Sequence, residues 1–235
     1  MILSCIVRLS IIFFFWGLCF KSTLAAENSI HIGVENLDYR PIIWIEDTEA
    51  KGFIPDLIDI VAKQCHFEVD ITAFPVARLK KETTEGVIDI KFPDNPNWEV
   101  DTTREKVYSL PVVRYSNAYF SKKSHNTIKS VAVPLGFKVE GKPHQHLNIV
   151  YVTTLTSLFN LLRENKVDAI YLNSAVAVNY MNSIGVKLVK RDDMPTDTDL
   201  YYFSSINNNN FIDCINLFVS KKNYKYIELL KKYKL

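Results

Sequence analysis

Few residues in this chain have the types and spacing that chemistry needs, and most of those suit binding better than turnover. His144-Gln145-His146 sets two imidazoles at i, i+2 with no cysteine or acid cluster beside them, which reads as a surface loop and not as a metal site. His31, His66 and His125 are isolated. There is no G-x-S-x-G elbow, Walker loop or H-E-x-x-H pair, so the usual signatures of an activated serine, a nucleotide phosphate and a zinc hydrolase are missing. No metal or cofactor is expected. What remains is a set of charges and flat rings. Arg78, Lys91 and Asp94 fall at or after helix and strand ends, Tyr39 and Trp44 follow the first strand, and Trp98 comes shortly after Asp94. Flat apolar walls with a few polar anchors are what a small-molecule cleft requires. Trp44, flanked by Ile43 and Ile45, also reads as core.

Alternating and helical patterns provide the frame for these side chains. Ile30, Ile32 and Val34 alternate as a half-buried strand, and Leu57, Ile58, Val61, Ala62 and Cys65 recur at helical spacing behind Pro55 and Asp56. Phe67, Val69, Ile71 and Ala73 alternate again, a short helix spans Arg78 to Thr84, and Gly86 to Ile90 reads as a third strand. That order predicts a parallel sheet covered by helices. The pattern recurs with strands at Val131–Val133 and Ile149–Val152 and a helical stripe of Leu155, Leu158, Phe159 and Leu162. Glu164–Tyr171 then echoes Glu85–Phe92, which argues for two α/β lobes. Phe211, Ile212, Ile215, Phe218 and Val219 line one face of a late helix, followed by a lysine-rich tail that reads as a solvated face.

Composition narrows the class further. Of 235 residues, 48% are hydrophobic and 23% charged, too apolar for a disordered chain, and 7 Gly with 9 Pro exclude a collagen-like one. Arg8, the apolar run Ile11–Phe20 and the small residues Ser22 to Ala26 form a secretory signal over residues 1–26, too short in its apolar part to span a bilayer. Taking Arg8 and Lys21 from the 28 basic residues leaves 26 against 26 acidic ones, so nucleic acid is not an expected partner. Cys5 and Cys19 lie in that leader. Cys65 and Cys214 remain, on apolar helix faces, where two buried thiols or one disulfide are both open, with free thiols the favoured reading.

Taken together, these residues resemble the family 3 extracellular solute-binding proteins of bacteria. The resemblance is carried by Gly52-Phe53-x-x-Asp56-Leu57, Gly86-Val87-Ile88-Asp89, Thr102-Thr103-Arg104 with Tyr108-Ser109-Leu110-Pro111, Val167-Asp168-Ala169 and the closing Ile227 to Tyr233. It implies a two-lobed periplasmic-binding-protein-like α/β fold (type II) with a discontinuous first lobe. Lobe one would comprise 27–117 and 200–235 and lobe two 118–199, with hinge crossings near Tyr115–Phe120 and Leu200–Phe203. It also implies a monomeric periplasmic protein that captures a small polar solute, amino-acid-like or carboxylate, and delivers it to an ABC permease in the inner membrane. A membrane sensor as the docking partner is the alternative, and a cyclohexadienyl-dehydratase-like enzyme a more distant one. Arg104 matches the arginine that holds a ligand carboxylate through its planar fork. Asn173 stands where amino-acid binders place an acid for the ligand ammonium. It serves either as a neutral ligand contact or as the cap of a helix starting near Ser174.

Overall fold

The computed structural model describes residues 28–98, 105–122, 127–137, 139, 146–207, 210–220 and 223–235. The leader, Arg104, His125, His144 and Gln145 lie outside the described residues. The chain runs β1 (Ser29–Glu35), β2 (Trp44–Glu46), β3 (Glu49–Lys51), α1 (Phe53–Cys65), β4 (Glu68–Phe74), α2 (Val76–Glu85) and β5 (Ile90–Asp94). A 3-10 turn at Pro96–Trp98 leads to β6 (Val107–Tyr108) and β7 (Val113–Ser121). Then come β8 (Ser130–Pro134), β9 (Asn148–Val152), α3 (Leu155–Arg163), β10 (Ala169–Asn173), α4 (Ser174–Ile184) and β11 (Val189–Lys190). The chain closes with β12 (Asp197–Ser205), α5 (Asn210–Val219) and α6 (Tyr224–Tyr233).

Local chemistry accounts for these boundaries. In α1, Phe53, Ile54, Leu57, Ile58, Val61 and Ala62 form one buried stripe, with Asp56 in the first turn and Lys63 in the last, each favourable to the helix dipole. Helix α2 ends at Gly86, whose φ of 75° is the left-handed conformation glycine adopts without a Cβ penalty. That cap consumes the start of the expected third strand. Val87 is left exposed, and β5 begins only at Ile90, so Lys91 and Asp94 lie within a strand and not beyond its end.

Strand pairing gives the fold its two lobes. Strands β4, β1 and β5 are parallel, and β5 pairs antiparallel with the second half of β12. On the other side, β10, β8 and β9 are parallel, and β7 joins β10 in antiparallel fashion. The first half of β12, Asp197–Tyr201, pairs with Asn117–Val113 of β7. Strands β7 and β12 are therefore the two hinge crossings, each giving part of its length to either lobe. Helices α5 and α6 return to pack on α1, which makes the first lobe discontinuous. The same packing brings Cys65 and Cys214 together as a disulfide, Cα–Cα 6.5 Å, and overturns the expectation of two free thiols. Sequence spacing alone does not reveal that α1 and α5 lie side by side.

Candidate functional site

A cavity of about 480 Å³ opens between the lobes, walled by the strand ends and the hinge strands. Open α/β sheets place ligand sites at the carboxyl ends of parallel strands, and Glu35 is the last residue of β1. From the first lobe, Glu35, Tyr39, Lys91 and Trp98 line the space; from the second, Gly136, Phe137 and Tyr171 do so. The hinge strands add Tyr115 and Asn117 from β7 and Asp197, Asp199 and Tyr201 from β12. Tyr115 and Tyr201 stack with centroids 4.4 Å apart and planes 13° from parallel. Trp98 meets Tyr201 edge-on at 5.8 Å and donates its indole N–H to the Tyr115 hydroxyl at 3.1 Å. The result is a rigid aromatic wall on the hinge.

Two buried carboxyls near that wall behave in opposite ways. Asp94 accepts from Lys91 at 3.0 Å, from Lys106 at 3.2 Å and from the Ser204 hydroxyl at 2.5 Å. Burial pushes its carboxyl up, but the two ammonium groups and the hydroxyl outweigh that and hold it below the usual carboxylate range. Glu35 accepts from the Tyr39 hydroxyl. Here burial dominates over that bond and over the Lys91 charge, and the carboxyl is pushed up to about 7.

Direct contacts hold the lobes together across the mouth. Asn179 of α4 donates to the Arg40 carbonyl at 3.4 Å and the Asp38 carbonyl at 3.5 Å, and Asn97 donates to the Asp199 carboxylate at 3.2 Å. Gly136, φ 100°, abuts the start of α2 so closely that a Cβ there would lie 2.9 Å from the Ala77 nitrogen and the Val76 side chain. These contacts bridge the two lobes.

Of the residues expected from sequence, Tyr39, Lys91 and Trp98 come together at the cavity. Asp94 does not line it; it is fully buried behind Lys91 as the counter-ion of two lysines. Trp44 belongs to the β2–β3 hairpin, under the Arg40 guanidinium at 5.0 Å, and lies away from the cavity. Arg78 points outward, donating to Glu82 at 3.0 Å with its guanidinium over the Phe74 ring. Asn173 is 3% exposed and takes the capping alternative, because the first N–H groups of α4 need an acceptor. Its side-chain oxygen accepts from Ala175 at 2.9 Å and Val176 at 3.3 Å, while its amide donates to the Tyr201 hydroxyl at 3.1 Å. Sequence reasoning missed Glu35, Asn117, Asp197, Asp199 and the two hinge tyrosines. Glu35 had a signal, an acid at the carboxyl end of the first strand. Tyr115 and Tyr201 lay within the expected crossings but were not considered as walls. No group of three metal-ligating side chains occurs among the described residues, and no described helix is long and apolar enough to cross a membrane.

This architecture is that of the two-lobed periplasmic-binding-protein-like folds. The chain superposes on a mutant of ArgBP from T. maritima with a TM-score of 0.68 at 19% identity, covering 88% of this chain and 95% of that one. It matches the substrate-binding protein of an amino acid ABC transporter with a TM-score of 0.69 at 17% identity, covering 88% and 99%. The GluR0 ligand-binding core in complex with L-glutamate is also similar, with a TM-score of 0.69 at 14% identity and the same coverage. At these identities the likeness establishes the fold. No protein-family model matches the sequence, nor does any curated protein.

Proposed function

We propose that this chain is an exported solute-binding protein of the family 3 type, which closes its lobes on one small polar molecule and releases it unchanged. The carrying observation is the cavity between the lobes, walled by strand ends from both and spanned by β7 and β12, an arrangement that allows hinge closure around a guest. Structural neighbours described as amino-acid-binding support an amino-acid-like or carboxylate guest. Lobe one comprises 27–117 and 200–235, lobe two 118–199, and an ABC importer reads the closed form. Arg104 holds the ligand carboxylate; Arg104→Ala then abolishes binding of carboxylate ligands while leaving the melting temperature of the empty protein nearly unchanged. The direct test is calorimetry and thermal shift against amino acids, organic acids and polyamines. Saturable binding without conversion supports the reading; turnover of any of them, or no heat with all of them, overturns it.

A further inference from the structure

Three buried side-chain polar atoms among the described residues have no hydrogen-bond partner: the Trp44 indole nitrogen, the Ser174 hydroxyl and the Asn117 carbonyl oxygen. Of these residues only Asn117 lines the cavity, and it is 7% exposed. It sits in the middle of β7 at the point where the strand changes partners, in register with Asn173 of β10 on one side and Asp197 of β12 on the other. Its side-chain amide bonds to the Tyr171 hydroxyl, so the carbonyl oxygen is the end left over. A buried acceptor without a donor is destabilising, and native structures seldom keep one without a use.

The charges around that oxygen indicate what should satisfy it. Asp197, its cross-strand neighbour, also lines the cavity; after burial itself, the Asp197 charge is what holds the Tyr171 phenol above its ordinary range. Asp199 adds a further carboxylate to the walls, whereas Glu35, its carboxyl pushed up to about 7 by burial, is only partly ionised near neutral pH. Two lysines also line the cavity, both from the first lobe: Lys91, matched by Asp94 at 3.0 Å, and Lys80 of α2. The hinge strands thus bring the Asn117 acceptor and the Asp197 and Asp199 carboxylates to one side of the cavity, with the two lysines on the first lobe. We infer that Asn117 is a ligand-binding residue which, with Asp197 beside it, receives a cationic N–H donor from the solute, so that the cleft selects nitrogen-bearing guests over plain carboxylates. This inference rests on the solute-binding reading above. It places the ammonium contact on the hinge strands, away from the start of α4, where Asn173 is committed to capping.

The test uses the mature protein with L-arginine, L-glutamate and putrescine as probes and glutarate as a control that lacks nitrogen, each followed by calorimetry. The parent protein should bind at least one nitrogen-bearing probe and bind glutarate more weakly. Asn117→Leu, close in volume, should weaken binding of that probe by roughly 10- to 100-fold, the range expected for a lost bond to a charged group. The same substitution removes the bond to the Tyr171 hydroxyl, so binding is compared at a temperature well below the melting point of the variant, which should fall by no more than a few degrees. Asp197→Asn should weaken the same probe and leave glutarate unaffected or bound more tightly. Binding of the probe at parental affinity by both variants overturns the inference while leaving the solute-binding reading intact, and so does a parent preference for glutarate. Should the parent bind none of the four, nor anything in the wider panel above, the functional reading itself fails, and this inference with it.

Discussion

Glu35 and Asp94 are both almost completely buried in the first lobe, yet their protonation is governed by different neighbours. Asp94 has two ammonium groups within 3.2 Å, whereas Glu35 has the Tyr39 phenol as its hydrogen-bond partner and feels Lys91 only as a more distant charge. The Glu35 carboxyl, raised from 4.5 to about 7, binds its proton more tightly in the folded state than in the unfolded one. Its contribution to stability is therefore complete below about pH 4.5 and is lost as pH rises through about 7, a change on the order of 3 kcal/mol. Urea midpoints of the empty protein should fall across that window, and Glu35→Gln should flatten this part of the profile. Parallel profiles for parent and variant would contradict the assignment.

Among the elements, the α2–β8 seam sets how the two lobes meet, and the α1–α5 bridge ties the two parts of the first lobe together. Gly136 lets the end of β8 approach the first turn of α2; Gly136→Ala meets both a left-handed φ and a 2.9 Å contact with backbone. The variant should resist closure, with a larger radius of gyration by solution scattering and about tenfold or more weaker solute binding; an unchanged radius and affinity would show that the seam yields. The Cys65–Cys214 bridge closes a loop of sequence separation 149, and bridges of this kind contribute about 2–5 kcal/mol. Cys214→Ser should therefore lower the melting temperature by several degrees, and reducing agent should lower that of the parent but not of the variant.

At the scale of the whole molecule, two strands carry every crossing between lobes, so opening and closing need deform only β7 and β12. The Tyr115–Tyr201 stack lies on both hinge strands and couples them. Asn179, reaching from α4 to the carbonyls of Asp38 and Arg40, bridges the lobes away from the hinge strands. Its bonds are long, so Asn179→Ala should shift the empty protein towards the open form without lowering the melting temperature by more than a degree or two. Scattering of parent and variant with and without ligand checks this, and identical profiles in both states would remove Asn179 from that role.

The residues themselves determine what depends on near neighbours. Alternation at Ile30–Val34, the stripe from Leu57 to Ala62, the cap at Asn173 and the two α/β repeats were all legible, because hydrophobic periodicity and helix capping act over a few residues. The resemblance carried by matches spaced along the chain implied the two-lobed fold, and that fold is what the strand pairing shows. Tertiary structure alone decided that Cys65 meets Cys214, that Asp94 is a buried counter-ion and not a cleft residue, and that Arg78 and Trp44 lie elsewhere. It also decided that Asn117 sits beside Asp197 at the hinge. Each of these depends on which distant strands pair and in what register, and a shift of one residue in a β-ladder would turn Asn117 away from the cavity.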